Sequence, residues 1–228
     1  MKLSVQPDQF DLHPTPQQKK SQRWQQVVST AVMLLSMAVL LPLVLRAPRP
    51  DFVVPSTVVL ILSTFILFPL ALFVTVVWHE LGHLLAAKSV GFCFVLVTFG
   101  PLRIAREAGG LRLSLIHNNL LQWQGRALAV PRSFGDHRRQ RMIFLAGGPL
   151  ATLVQLLLLL GFNFGLRDSA VAYGWGLALL WLLLAAVMTL PATAIPQKVG
   201  GSYTDAARIW QMWRGGSALV RELALNNL

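Results

Sequence analysis

With 228 residues, 54% of them hydrophobic and only 13% charged, the chain has about half the charge density of a soluble domain, so lipid must cover much of its surface. Its formal net charge of +11 does not indicate nucleic-acid binding, because the basic residues flank apolar runs, as the positive-inside bias of membrane proteins places them. Cys93 is the single cysteine, which excludes a disulfide framework and a cysteine-built zinc finger and leaves that thiol a packing role.

Residues 1–26 are polar, carry Pro7, Pro14 and Pro16, and read as a cytoplasmic tail. The first apolar run starts too late for a cleaved signal peptide and lacks a small-residue cleavage site. Residues 27–45 form the first predicted span, long enough to cross about 30 Å of hydrocarbon. Arg46, Pro48, Arg49, Pro50 and Asp51 then make a short outside turn. The second apolar segment, about 53–87, exceeds one crossing, and Pro69 is expected to kink it or break it in two. Residues 143–164 give the third span and 171–190 the fourth, joined by a tight loop around Arg167 and Asp168. A C-terminal helix is expected over about 204–225.

Between the second and third spans, residues 88–142 carry nine basic residues, whereas the other two inter-span loops carry two and one. This asymmetry predicts four crossings of the cell (plasma or inner) membrane with both termini cytoplasmic. The same connection contains Phe92–Phe99, Leu111–His117 and Leu121–Val130, rich in β-branched, aromatic and leucine residues and separated by Gly100-Pro101 and Gly109-Gly110. Leu111-Arg112-Leu113-Ser114-Leu115 alternates with period two, as a half-buried strand does. The expected fold is therefore an all-α membrane bundle of about four transmembrane helices with a small membrane-edge β-hairpin or sheet. That sheet either merely joins two spans or offers an edge strand to an unwound peptide.

The chemistry lies at His79-Glu80-Leu81-Gly82-His83. Residues four apart share a helix face, so both imidazoles can meet one metal ion, and Glu80 can reach a water at its open position. Zinc lowers the pKa of such a water from 15.7 to about 7, and Glu80 is placed to take its proton and deliver it to a leaving amine. A charge inside a span costs about 2.5–3.5 kcal/mol on insertion scales, so Glu80 beside two histidines needs a compensating reason, which a divalent cation supplies. Hydrogen bonding to neighbouring helices is the plainer alternative. Gly82 admits a close helix neighbour at a cost of about 1 kcal/mol against alanine. A third ligand must come from the same side of the membrane. Glu107, His117, Asp136, His137, Asp205 and Glu222 are the candidates. Asp205 opens an apparent helix, where an aspartate can equally be a simple N-cap.

The chain resembles the site-2 protease family of intramembrane zinc metallopeptidases. His79-Glu80-Leu81-Gly82-His83 matches the zinc motif, and Ala146-Gly147-Gly148-Pro149-Leu150-Ala151 resembles the glycine-proline opening of the family's next core span. Leu190-Pro191 through Gly200-Gly201 to Asp205 resembles the family's Asn-x-x-Pro…Asp-Gly segment. The resemblance covers roughly residues 55–215. It implies one Zn2+ per chain on His79, His83 and Asp205, with Glu80 catalytic. It also implies a membrane-protein or hydrophobic-peptide substrate cut in or near a transmembrane segment on the cytoplasmic side. Two positions depart from the pattern: Ala206 stands for the glycine, and Met188 or Thr189 for the asparagine, which leaves the oxyanion stabiliser unassigned. The competing expectation is a catalytically inactive relative that serves as a membrane scaffold.

Overall fold

A computed structural model describes residues 57–107, 109–115, 125–132, 138–165, 171–199 and 202–214, together with Val27, Ala31, Leu34 and Ala38, each of which is helical. The polar tail, almost all of the first predicted span, the turn after it and the loop around Arg167 and Asp168 lie outside the described residues.

Helix α1 runs over Thr57–Ser89 as one 33-residue helix with Pro69 inside it. Of the kink or break expected at Pro69, the break does not occur. In apolar surroundings no water competes for backbone groups, and losing one hydrogen bond does not unravel the flanking turns. The C-terminus closes as a Schellman motif: Phe92 N–H bonds Ala87 C=O at 2.9 Å and Gly91 N–H bonds Lys88 C=O at 3.2 Å. Gly91 takes φ 77, the left-handed conformation this cap requires.

Four strands follow: β1 (Cys93–Phe99), β2 (Leu102–Glu107), β3 (Gly110–Leu115) and β4 (Gly125–Val130). They form one antiparallel sheet in the order β3-β2-β1-β4. Strand β2 is absent from the sequence-based expectation, because Arg103, Arg106 and Glu107 mask its apolar positions. Gly100 at φ 56 makes the β1–β2 turn. The alternation in β3 does not give a half-buried strand. Leu111, Leu113 and Leu115 are 71%, 65% and 63% exposed, since β3 is an edge strand and no layer among the described residues covers it.

Helices α2 (Arg138–Gly165) and α3 (Val171–Ala194) are both longer than their predicted spans, and α3 continues past Pro191. A two-stranded ribbon, β5 (Lys198–Val199) with β6 (Ser202–Tyr203), leads into α4 (Asp205–Trp213). Three helical stretches, Ile61–Ser89, Arg138–Gly165 and Gly176–Ala194, are long and apolar enough to cross a membrane. Their outward faces carry exposed Ile61, Leu62, Phe65, Ile66, Leu157 and Leu158, which is the surface expected of helices in lipid.

Leu156, Leu183, Ala186 and Val187 form the buried cluster between α2 and α3. Between α1 and α2 the contact is closer. A Cβ built on Gly82 would collide with the Gly147 carbonyl, and one on Gly147 with the Gly82 carbonyl, so these two glycines let the backbones touch. This crossing lies inside the HExxH segment and brings the start of α2 over the two histidines.

Candidate metal centre

His79 and His83 project from one face of α1 with ring centroids 4.9 Å apart and are 5% and 4% exposed. The first residue of α4 closes the group: Asp205 Oδ2 is 3.2 Å from His79 Nε2 and 3.3 Å from His83 Nε2. Metal–ligand bonds of about 2.0–2.1 Å put the corners of a tetrahedron about 3.3 Å apart, so these two separations are compatible with ligands on one metal ion as well as with hydrogen bonds. His79, His83 and Asp205 are a group that could hold a metal ion.

The outer nitrogens fix how the inner ones point. His83 Nδ1 lies 2.8 Å from the Phe144 carbonyl, which only accepts, so the proton is on Nδ1. His79 Nδ1 lies 2.9 Å from Thr152 Oγ1. The Thr152 hydroxyl donates to the Gly148 carbonyl at 3.2 Å, leaving its oxygen to accept from His79. With both Nδ1 atoms protonated, a neutral imidazole presents a lone pair at Nε2. Two lone pairs and a carboxylate oxygen therefore converge, and a cation fits them. Without a cation, a close Nε2–Oδ2 contact needs a shared proton, so a buried imidazolium or a protonated carboxyl must take the cation's place, at a cost in an apolar bundle.

Gly148 is the residue that makes room. A Cβ there would fall on His83 Nε2 and His79 Nε2, so α2 passes the ligand atoms only because this position has no side chain. Trp78 Nε1 donates to the Ala151 carbonyl at 2.7 Å and ties the same turns of α1 and α2 together.

Asp205 does not cap its helix. Thr204 is the N-cap and its side chain accepts from Ala207 N–H, which leaves the Asp205 carboxylate for the histidines. Burial pushes the Asp205 carboxyl upward, but the hydrogen bonds and charges of His79 and His83 outweigh it and hold the group below the ordinary carboxylate range.

Glu80 is 4% exposed, and one of its oxygens, Oε2, has no hydrogen-bond partner among the described residues. It lies close enough to His83 and Asp205 to feel both charges, and it accepts from the Ala127 N–H of β4. Gly125 of the same strand rests against its carboxylate, where a Cβ would overlap it. A buried, half-satisfied ionisable group beside His79, His83 and Asp205 is the kind of group that functional sites collect.

Of the other ligand candidates, Glu107 pairs on the exposed sheet with Arg112 at 3.3 Å, the solvated role its arginine-rich surroundings suggest. His117, Asp136, His137 and Glu222 lie outside the described residues. Sequence reasoning did not find Thr152, Gly148 or Gly125 as site residues. Only Thr152 left a usable trace, a hydroxyl one helical turn after Gly148-Pro149 in an otherwise apolar run.

The chain was compared with protein-family models, curated proteins and solved structures, and it matches none of them.

Proposed function

We propose that this chain is a zinc-dependent intramembrane endopeptidase of the site-2 protease type, with one Zn2+ on His79, His83 and Asp205. Its substrate is a membrane protein or hydrophobic peptide, cut in or near a transmembrane segment from the cytoplasmic side of the cell membrane. The observation that carries this reading is the convergence of three ligand atoms beside a buried glutamate, on helices of membrane-spanning length. The nine basic residues of the 88–142 connection support a cytoplasmic location for the sheet and the site.

Zinc bound there supplies a Lewis acid that polarises a water and the scissile carbonyl. The chain's own residues do the rest. Glu80 takes a proton from the attacking water as its oxygen bonds to the acyl carbon. It then gives the proton to the amide nitrogen as the C–N bond breaks, leaving a carboxylic acid and an amine, between which the remaining water proton passes to give carboxylate and ammonium. Thr152 and the Phe144 carbonyl hold both rings in the tautomer that faces Asp205. Gly125 and Ala127 place β4, the edge strand opposite β3, directly against Glu80. A substrate helix shields its peptide bonds by its own hydrogen bonds, so it must unwind first, and an extended strand beside β4 suits that state.

The decisive test is Glu80→Gln in the full chain. Cleavage of a membrane substrate is expected to disappear while zinc stoichiometry is unchanged. Undiminished cleavage would sink the enzymatic reading, and absence of zinc from chelator-free wild-type protein would sink the metal assignment.

A further inference from the structure

Helix α4 runs antiparallel to the first turns of α2. At its start, Asp205 meets His83, whose ring is bonded to the Phe144 carbonyl. Further along, Ile209 and Met212 pack with Met142 and Leu145. At its end, the Arg138 guanidinium donates to the Trp213 carbonyl. Trp213 therefore stands level with the first turn of α2, while Gly148, over the histidines, is ten residues or about 15 Å further along that helix.

The outer face of α4 is not the leucine surface seen elsewhere. Trp210 and Trp213 are 43% and 64% exposed, with ring centroids 5.4 Å apart. The Arg214 guanidinium lies 4.5 Å over the Trp210 ring. Arg138 and Arg139 are exposed in the first turn of α2, the turn that Arg138 joins to the Trp213 carbonyl. Among the described residues, no carboxylate pairs with Arg139 or Arg214. Indoles concentrate where hydrocarbon meets headgroups, and guanidinium groups bind phosphate oxygens in paired hydrogen bonds. Both chemistries occur together at the end of a helix apolar enough to enter a membrane.

We propose that Trp210, Trp213 and Arg214 of α4, with Arg138 and Arg139 of α2, form a docking surface for anionic phospholipid headgroups, and that this anchor sets the depth at which Asp205 meets His79 and His83. The nine-residue α4 carries the ligand at its first position and the anchor in its last turn, so fixing one end fixes the other. Metal affinity then depends on lipid charge. The inference rests on the membrane-spanning and metal-binding parts of the proposed function and is independent of peptidase activity.

The test uses the full chain in phosphatidylcholine vesicles with and without phosphatidylglycerol. Zinc affinity is read by competition with a chromophoric chelator, and tryptophan fluorescence by a headgroup-level nitroxide lipid. Phosphatidylglycerol is expected to tighten zinc binding about fivefold or more, roughly that factor applying to each arginine held at an anionic surface. The R139Q/R214Q variant should bind zinc equally in both vesicles, and W210F/W213F should lose the part of the quenching that these indoles supply. Equal wild-type affinity in both vesicles overturns the proposal, as does quenching unchanged by W210F/W213F. Should neither vesicle yield zinc binding, the metalloprotease reading fails, and the quenching alone decides the anchor.

Discussion

His79 and Thr152 form a directed pair: the imidazole Nδ1–H donates across 2.9 Å to a hydroxyl that spends its own proton on the Gly148 carbonyl. The pair fixes both the ring's tautomer and its rotation, so Nε2 faces Asp205. Thr152→Val keeps the shape and removes the acceptor. Zinc affinity should fall by about 10–100-fold, the usual loss when a ligand's outer partner is removed. Thr152→Ser should restore most of it. Competition titration with a chelator measures both, and unchanged affinity in the valine variant would make Thr152 a packing residue only.

Two glycines of one helix give opposite expectations. At Gly148 a Cβ would land on both Nε2 atoms, whereas at Gly161 it meets nothing within 4 Å. Gly148→Ala should abolish zinc binding even where the bundle still assembles. Gly161→Ala should bind normally and gain about 0.5–1 kcal/mol of helix stability by restricting the unfolded backbone. Metal content and unfolding in mixed detergent separate the two outcomes. Zinc retained in the first variant would show that α2 can shift, and the close fit at the site would lose its significance.

The line between what could and could not be read from the sequence follows the range of the interactions involved. His79, Glu80 and His83 were legible because one helix face brings them together at fixed spacing. The α2 and α3 spans were legible because burying an apolar run in lipid is a property of the run itself. Asp205 stood out from the other ligand candidates mostly through resemblance, and its alternative role as an N-cap is removed by a neighbour, Thr204, which takes the cap. Strand β2 was hidden because Arg103 and Arg106 interrupt its apolar pattern and its evidence lies in the partners Leu96–Phe99 and Leu111–Leu115. Gly148 and Gly125 were invisible in their roles, since a glycine records only that something comes close, and what comes close belongs to another element.

Acid should weaken the metal-free site through Asp205. Its folded-state pKa lies below the unfolded value of about 3.9, because the two imidazoles outweigh the effect of burial. A depressed folded value means that the carboxylate's contribution is fully present above the unfolded pKa and is lost as pH falls toward the folded one. Unfolding of metal-free protein in detergent should therefore show stability declining below about pH 4, with an Asp205→Asn variant less stable at neutral pH and flatter through the acid range. A variant whose acid profile overlays that of wild type would remove Asp205 from the linkage.

Deeper along the same seam, Gln155 Nε2 donates to Thr75 Oγ1 at 3.1 Å, and both residues are buried at the α1–α2 contact. Gln155 Oε1 has no partner among the described residues, so this amide is half satisfied there. Thr75→Val removes the remaining acceptor and leaves a polar side chain in hydrocarbon, which should cost about 1 kcal/mol, within the range measured for interhelical hydrogen bonds in membranes. Adding Gln155→Leu should recover most of that loss, because replacing both partners by apolar groups of similar shape carries no desolvation penalty. A double-mutant cycle on unfolding free energies checks the coupling. If the two losses simply add, the bond contributes nothing to the helix crossing, and the register of α1 and α2 rests on the glycine contact at Gly82 and Gly147 and on the hydrogen bonds of Trp78, His79 and His83.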